Sequence, residues 1–167
     1  MIIGLSGKAQ SGKDTVGDYL VRSYGFIRVA SADALKNIVS RHLGWDGVKD
    51  DKGRKLLPEV GCSVRDYDQD FWITRTIWKI KELTIANIGS NFVITDVRFR
   101  NEARILKEQG AVVIRLERQG AIKSTHISET ELDSYTEFDS IIDNNNTVEC
   151  LYDRVDDIMK NLREGNL

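Results

Sequence analysis

A glycine-rich stretch that ends in lysine carries the strongest chemical signal in the sequence. Gly7, Gly12 and Lys13 have the spacing G-x-x-x-x-G-K, which is typical of a loop whose backbone N–H groups surround phosphates. Glycine lets the chain fold this tightly, and the start of the following helix adds partial positive charge. The lysine of such a loop reaches the β- and γ-phosphates of a nucleotide. We therefore predict ATP binding by Gly7, Lys8, Ala9, Gln10, Ser11, Gly12, Lys13, Asp14 and Thr15.

Asp14 departs from the usual form of this loop, which has Ser or Thr after the lysine to hold Mg²⁺. Its carboxylate is a hard oxygen ligand that suits Mg²⁺, directly or through water, and it would repel phosphate in the absence of the metal. This substitution predicts a strict dependence on Mg²⁺. The alternative is that Asp14 only complements the dipole at the start of the helix.

Further candidates follow two predicted strands. The apolar run 92–95 ends in Asp96, which indicates an acid that orients Mg²⁺ or its water; the alternative is an N-cap for the helix near residue 99. Arg98 lies at the carboxyl end of the same strand, where it can grip a phosphate through two hydrogen bonds. Arg118 begins a polar segment that is predicted to act as a lid over the γ-phosphate. The predicted catalytic residues are Lys13, Arg98 and Arg118, and the predicted metal ligands are Asp14 and Asp96.

Short apolar runs alternate with segments of helical periodicity along the chain. The runs predict strands over 1–6, 26–30, 91–95, 111–116 and 140–143. The periodic segments predict helices over 12–24, 32–43, 53–66, 70–86, 99–109 and 148–162, the last with Asn146 and Glu149 as a capping pair. Residues 118–137 are polar and poorly periodic, so we interpret them as a long excursion. The alternation predicts a three-layer α/β fold with a five-stranded parallel sheet and helices on both faces.

Length and composition narrow the class of protein. The chain has 167 residues, which predicts one domain over 1–167. A net charge of −2 argues against a dedicated nucleic-acid binder. The chain has no apolar run of membrane length and no secretory signal at its start, so we expect no membrane partner. Its two cysteines, without metal-spaced partners, favour a reducing cytoplasm. The tryptophans Trp45, Trp72 and Trp78 are interpreted as core residues. For Trp72, a contact with the acceptor stays open as an alternative.

Three stretches together resemble a known family. They are residues 5–15, residues 95–102, and residues 113–118 leading to 126–129. The chain resembles the bacteriophage deoxynucleoside monophosphate kinases of the P-loop nucleoside-kinase superfamily, over residues 1 to about 150. The resemblance implies a P-loop NTPase fold and the phosphorylation of a deoxynucleoside 5′-monophosphate to the diphosphate, with ATP and Mg²⁺. It also implies that Asp14 after the loop lysine is a feature of the family.

The resemblance also implies where the substrates bind. An acceptor-binding helical insertion is expected over about 45–86, and a lid over about 118–137. Cys62 and Ser63 stand where the family has Thr and an acid, so the contacts to base and sugar are not implied. Two residues after the fifth strand, Asn144 and Asn145, are expected near the adenine of ATP. The residues expected at the acceptor are Asp33, Lys36, Arg65, Trp72 and Arg98.

Two other functions stay open at this point. One is a P-loop kinase for another small acceptor, of the dephospho-coenzyme A or phosphomevalonate type, and residues 45–86 decide between it and the nucleotide acceptor. The other is a non-catalytic nucleotide sensor. Asp96, Arg98 and Arg118 argue against the sensor, because a binding module needs no arginine for a transferred phosphate. The resemblance also leaves a homodimer open.

Overall fold

The computed structural model describes residues 1–48, 50–121 and 125–166. Residue 49 of the predicted insertion, residues 122–124 of the predicted lid and residue 167 lie outside the described residues. The strands are β1 (Ile2–Gly7), β2 (Ile27–Val29), β3 (Phe92–Val97), β4 (Val112–Glu117) and β5 (Ser140–Asp143). The helices are α1 (Lys13–Tyr24), α2 (Ser31–Leu43), α3 (Asp51–Tyr67), α4 (Phe71–Ala86), α5 (Arg100–Glu108), α6 (Ile127–Thr130) and α7 (Val148–Glu164).

The five strands form one parallel sheet in the order β2-β3-β1-β4-β5, which confirms the predicted fold class. The central strand β1 pairs with β3 on one side and with β4 on the other. Because the strands are parallel, their carboxyl ends meet at one edge of the sheet, which is where such folds bind ligands. The phosphate-binding loop follows β1 at that edge.

Helices cover both faces of the sheet. Ile3 and Leu5 point to one face, where the core also includes residues of α1 and α7 such as Leu20 and Val155. Gly4 lies between them and faces the other way, since side chains alternate along a strand. A Cβ added at Gly4 would lie 3.3 Å from the side chain of Leu106 in α5. The predicted three-layer arrangement is therefore confirmed.

Each predicted strand and each longer predicted helix is present, with bounds within two residues of those expected. The predicted excursion over 118–137 contains α6 and a 3₁₀ turn over Glu131–Ser134. One detail was wrong. The N-cap of α7 is Thr147 rather than Asn146, and its hydroxyl accepts a hydrogen bond from the backbone N–H of Cys150 at 3.4 Å.

One further expectation was wrong, and one alternative is excluded. Trp78 was interpreted as core, but its side chain is exposed on α4, where it lies against the guanidinium of Arg75 at 5.2 Å from the ring centre. Asp96 does not cap the helix near residue 99, because it lies within β3 and Phe99 holds the N-cap position of α5.

The chain divides into two compact units. The first comprises Met1–Arg28 and Ser90–Leu167, and the second comprises Val29–Gly89. The second unit holds α2, α3 and α4, and the predicted insertion over 45–86 falls inside it. Within this unit, the hydroxyls of Ser31 and Thr76 lie 2.9 Å apart and join α2 to α4. In the part of the chain that the structure describes, no helix is long and apolar enough to cross a membrane.

Candidate active site

The loop between β1 and α1 needs glycine at two positions. Gly7 has φ 147° and Gly12 has φ 104°, values that side chains rarely allow. A Cβ at Gly7 would lie 2.4 Å from Oγ of Ser11, and a Cβ at Gly12 would lie 2.4 Å from Nδ2 of Asn144. Because a Cβ atom does not fit at either position, only glycine lets the loop close this tightly. This is the geometry that the sequence spacing predicts for a loop around phosphates.

Lys13 lies buried at the start of α1 and donates hydrogen bonds to two carbonyls of the loop, those of Gly7 at 2.6 Å and Lys8 at 2.7 Å. Burial, together with the positive charge of Arg98, lowers the pKa of Lys13 from 10.5 to about 8. The charges of Asp14, Arg115 and Asp96 also act on this amine. Arg98 lies beside the loop, because Glu129 contacts both its guanidinium and the backbone N–H of Ala9.

The two predicted metal ligands have different surroundings. Asp14 is exposed in the first turn of α1, where its carboxylate is paired with Arg28, which also contacts Asp18 at 3.0 Å. Asp96 is half-buried at the end of β3, where the register against β1 shifts between Gly4 and Ser6. Such a shift re-aims side chains and is common next to active sites.

Arg98 is held in place by a residue that the sequence analysis missed. The buried carboxylate of Glu102 accepts hydrogen bonds from the backbone N–H groups of Arg98 at 2.8 Å and Phe99 at 3.1 Å. It thereby fixes the turn that connects β3 to α5. The signal was present in the sequence, because an acid at the third position of a helix is typical of a capping box.

Arg115 is a buried arginine beside the loop. Its guanidinium donates to the hydroxyl of Ser6 at 3.3 Å and to the carboxylate of Asp133 at 3.0 Å. Asp133 was not singled out from the sequence. It belongs to an acidic stretch that follows Arg118 in the chain. The negative charge of this stretch, opposite to that of the basic loop, was the signal that could have indicated the contact.

Asn144 supports the phosphate-binding loop directly. Its buried amide donates to the carbonyl of Ser11 at 2.9 Å and lies against Gly12. Asn145 accepts a hydrogen bond from the backbone N–H of Gln119 at 2.7 Å, which joins the segments after β5 and β4. A contact between these residues and adenine stays a prediction.

A cavity of about 420 Å³ lies next to the loop, with Lys8, Ser11, Arg118 and Asn145 among its lining residues. Among the described residues, Oγ of Ser11 is a buried oxygen without a hydrogen-bond partner. A buried polar atom in that situation favours an additional polar ligand. The cavity therefore brings Arg118, which is exposed, together with the loop and with Asn145.

The remaining predicted site residues belong to the second unit. Lys36 pairs with Asp33 at 3.3 Å on α2, and both side chains are exposed. In α3, Arg65 donates to the carbonyl of Gln69 at 3.1 Å. Trp72 is buried at the start of α4, and its indole N–H donates to the carbonyl of Gly61 at 3.1 Å. Each of these side chains makes a local contact, and their roles at an acceptor stay predictions.

The parallel sheet and the loop define a P-loop NTPase fold. Similar solved structures include the dephospho-CoA kinase of Campylobacter jejuni, with a TM-score of 0.61 and 14% identity over 99% of this chain and 98% of that one. The shikimate kinase of Aquifex aeolicus vf5 has a TM-score of 0.58 and 11% identity over 98% of each chain. At these identities the likeness shows the fold alone.

The family follows from sequence. The profile of the deoxynucleotide monophosphate kinase family matches residues 53–155. A protein of Acanthamoeba polyphaga mimivirus, named "Putative deoxynucleotide monophosphate kinase", is 33% identical over 193 aligned residues, which cover 99% of this chain and all of that protein. The chain belongs to the deoxynucleotide monophosphate kinase family. This confirms the family expected from the three stretches; a bacteriophage origin stays a prediction.

Proposed function

We propose that this protein transfers the γ-phosphoryl group of ATP to the phosphate of a deoxynucleoside 5′-monophosphate, giving ADP and the diphosphate. The observation that carries the proposal is the buried Lys13 of the phosphate-binding loop together with Arg98, which lies beside the loop because Glu129 contacts both Arg98 and the N–H of Ala9. Asp14 follows Lys13 in α1, and Asp96 lies near the end of β3. A phosphate-binding loop alone serves any nucleotide-binding protein. The added arginine and carboxylates are what phosphoryl transfer needs.

The reaction forms one P–O bond and breaks another. An oxygen of the acceptor phosphate attacks the γ-phosphorus, and the bond to the β,γ-bridging oxygen breaks, so that the electron pair leaves with ADP. Negative charge spreads over the γ-oxygens during this step, and fixed cations lower its free energy. We assign this role to Lys13 and Arg98, with Arg118 as the candidate on the lid side.

The residues present fit a magnesium ion. In the described ranges 1–48, 50–121 and 125–166, no three His, Cys, Asp or Glu side chains form a metal cluster. Mg²⁺ is commonly held by one or two carboxylates together with substrate phosphates, so Asp14 and Asp96 are a sufficient protein contribution. When bound, the ion would neutralise charge on the β- and γ-phosphates.

The substrates are assigned to different parts of the chain. The loop over residues 7–15 would bind the phosphates of ATP, with Asn144 and Asn145 on the side of the adenine. The acceptor would contact Asp33, Lys36, Arg65 and Trp72 of the second unit, and Arg98 would contact its phosphate. The proposal includes a cytoplasmic location, which the two cysteines without metal-spaced partners favour, and a homodimer, which the family resemblance leaves open.

The test is ADP formation from Mg²⁺-ATP with a panel of acceptors: dTMP, dGMP, dCMP, dAMP, AMP, dephospho-coenzyme A and phosphomevalonate. We expect turnover with one or more deoxynucleotides. Lys13→Met is the control for the site, and we expect it to lower kcat by about 10²–10³-fold, as loss of one transition-state donor does. Turnover only with a non-nucleotide acceptor would overturn the acceptor assignment. ATP binding without turnover on any acceptor would favour the sensor.

A further inference from the structure

Glu129 of α6 reaches the phosphate-binding loop with both carboxylate oxygens. One oxygen accepts the backbone N–H of Ala9 at 3.0 Å, and the other is paired with the guanidinium of Arg98. The Glu129 side chain is only 12% exposed, so water screens this pair far less than it screens a surface ion pair. A residue 120 positions away in sequence is thereby fastened to the loop.

The partners of Glu129 are the donors that a phosphate would use. A backbone N–H of a glycine-rich loop and an arginine fork are a typical pair of phosphate contacts. A carboxylate resembles a phosphoryl group in having negative charge and oxygens that accept hydrogen bonds. Glu129 therefore takes the donors that a nucleotide phosphate needs in the proposed reaction.

Asp133 makes a parallel set of contacts from the same segment. Its carboxylate pairs with Lys8 at 2.7 Å and with Arg115 at 3.0 Å. Burial opposes ionisation of Asp133, but the hydrogen bonds and charges of Lys8 and Arg115 outweigh it and hold its pKa below the usual value. The two carboxylates thus bind three cationic side chains and one backbone N–H group. Lys13 donates its hydrogen bonds to loop carbonyls rather than to either carboxylate.

We propose that Glu129 is an internal phosphate mimic, which occupies the anion position between the Ala9 N–H and Arg98 and is displaced by a phosphoryl group of the nucleotide. The inference rests on the proposed function of the loop and concerns the regulation of that same site. When a phosphoryl group displaces Glu129, the ion pair between Arg98 and Glu129 is lost. Glu129 therefore weakens nucleotide binding. A residue that only positions Arg98 for catalysis would have the opposite effect on binding or none.

The test is the affinity for inorganic tripolyphosphate and for ATP, measured by calorimetry in buffer with excess Mg²⁺. Glu129→Gln keeps the shape of the side chain and removes its charge. We expect it to tighten both affinities about tenfold, or about 1.4 kcal/mol, because the nucleotide then no longer displaces a charge-assisted contact to Arg98. Glu131→Gln is the matched control. Glu131 lies in the same segment and accepts a long contact of 3.4 Å from the N–H of Arg100, so this variant should leave both affinities unchanged.

Glu129→Ala removes both contacts and serves as a second variant, with circular dichroism to confirm that each variant is folded. Unchanged or weaker binding in both variants would overturn the mimic. The proposed function fails in a different way: tripolyphosphate and ATP would then bind equally well to the wild type and to Lys13→Met. If the wild type binds neither ligand and the Glu129 variants bind both, the mimic is supported; if no variant binds, both ideas fall.

Discussion

The phosphate-binding loop and the second unit differ in what constrains their predicted site residues. In the loop, Gly7 and Gly12 have no room for a Cβ, and Lys13 is buried and hydrogen-bonded to two carbonyls. In the second unit, Asp33 and Lys36 are exposed on one helix and contact each other. The phosphate group is the same in every nucleotide, so one backbone geometry of the loop can bind it. Acceptor recognition depends on side chains, and many arrangements on helices can supply it.

The largest expected effect tests the constraint on the loop. Gly12→Ala places a methyl group 2.4 Å from Nδ2 of Asn144 at a φ of 104°, so the loop must move. We expect ATP affinity to fall by about two orders of magnitude, because the backbone N–H groups of the loop no longer converge on one phosphate. Calorimetric titration with Mg²⁺-ATP measures this.

Gly25→Ala is the matched control. Gly25 also has a positive φ, of 69°, but nothing lies within 4 Å of an added Cβ. We expect a loss of about 1 kcal/mol in the free energy of unfolding and unchanged ATP affinity. Equal losses of ATP affinity in the two variants would show that positive φ, rather than the tight loop, determines the result.

The second prediction concerns the metal. Chelation of Mg²⁺ should abolish turnover, and Asp14→Asn should raise the Mg²⁺ concentration for half-maximal turnover by about 10- to 100-fold, the usual cost of changing a metal site. Asp18→Asn is the control, because Asp18 contacts the same Arg28 one turn further along α1. If Asp14→Ser binds ATP equally well with and without EDTA, then the carboxylate at this position has no role in metal dependence.

The third prediction moves to the second unit. Arg65→Gln should raise the KM of the deoxynucleotide acceptor about tenfold and leave the KM of ATP unchanged, because one charge-assisted hydrogen bond to the acceptor phosphate is lost. Arg41→Gln is matched to it, since each arginine lies in the last turn of a helix of this unit. A change in kcat with both KM values unchanged would contradict a binding role for Arg65.

These contrasts explain what the sequence could predict. The glycine spacing of the loop and the strand–helix alternation are local signals, and both led to correct expectations about the fold. The contacts of Glu129 with Ala9 and of Asp133 with Lys8 join residues more than 100 positions apart, so no local pattern contains them. The register shift beside Asp96 depends on the pairing of β1 with β3, which likewise requires the folded sheet. The N-cap of α7 is Thr147 and not Asn146, because neighbouring residues of capping type give the same signal and locate a helix start only to within about one residue.

Arg65 was assigned to the acceptor only through family resemblance, and Trp72 was otherwise only kept open, for a physical reason. Arg65 and Trp72 lie on helices whose periodicity reports which face is buried, not which side chain contacts a base or sugar. The family profile covers residues 53–155 and therefore includes both, whereas it begins after the phosphate-binding loop. The family is thus supported independently of the glycine motif.

The smallest expected effect returns to the first unit and concerns Asp133. Its pKa is lowered in the folded protein, so the carboxylate contributes stability above its unfolded pKa of about 3.8 and loses that contribution as the pH falls through the folded value. At neutral pH, Asp133→Asn should reduce the free energy of unfolding by about 0.2–1 kcal/mol, the usual range for a partly exposed pair. Urea unfolding at several pH values measures the difference.

The pH profile separates this electrostatic role from simple packing. The stability gap between wild type and Asp133→Asn should close when the pH falls below the folded pKa, because the wild-type side chain is then neutral as well. Asp157→Asn, at an exposed position of α7, should show no gap at any pH. A gap for Asp133→Asn that persists in acid would mean that the shape of the side chain, rather than its charge between Lys8 and Arg115, stabilises the segment against the loop.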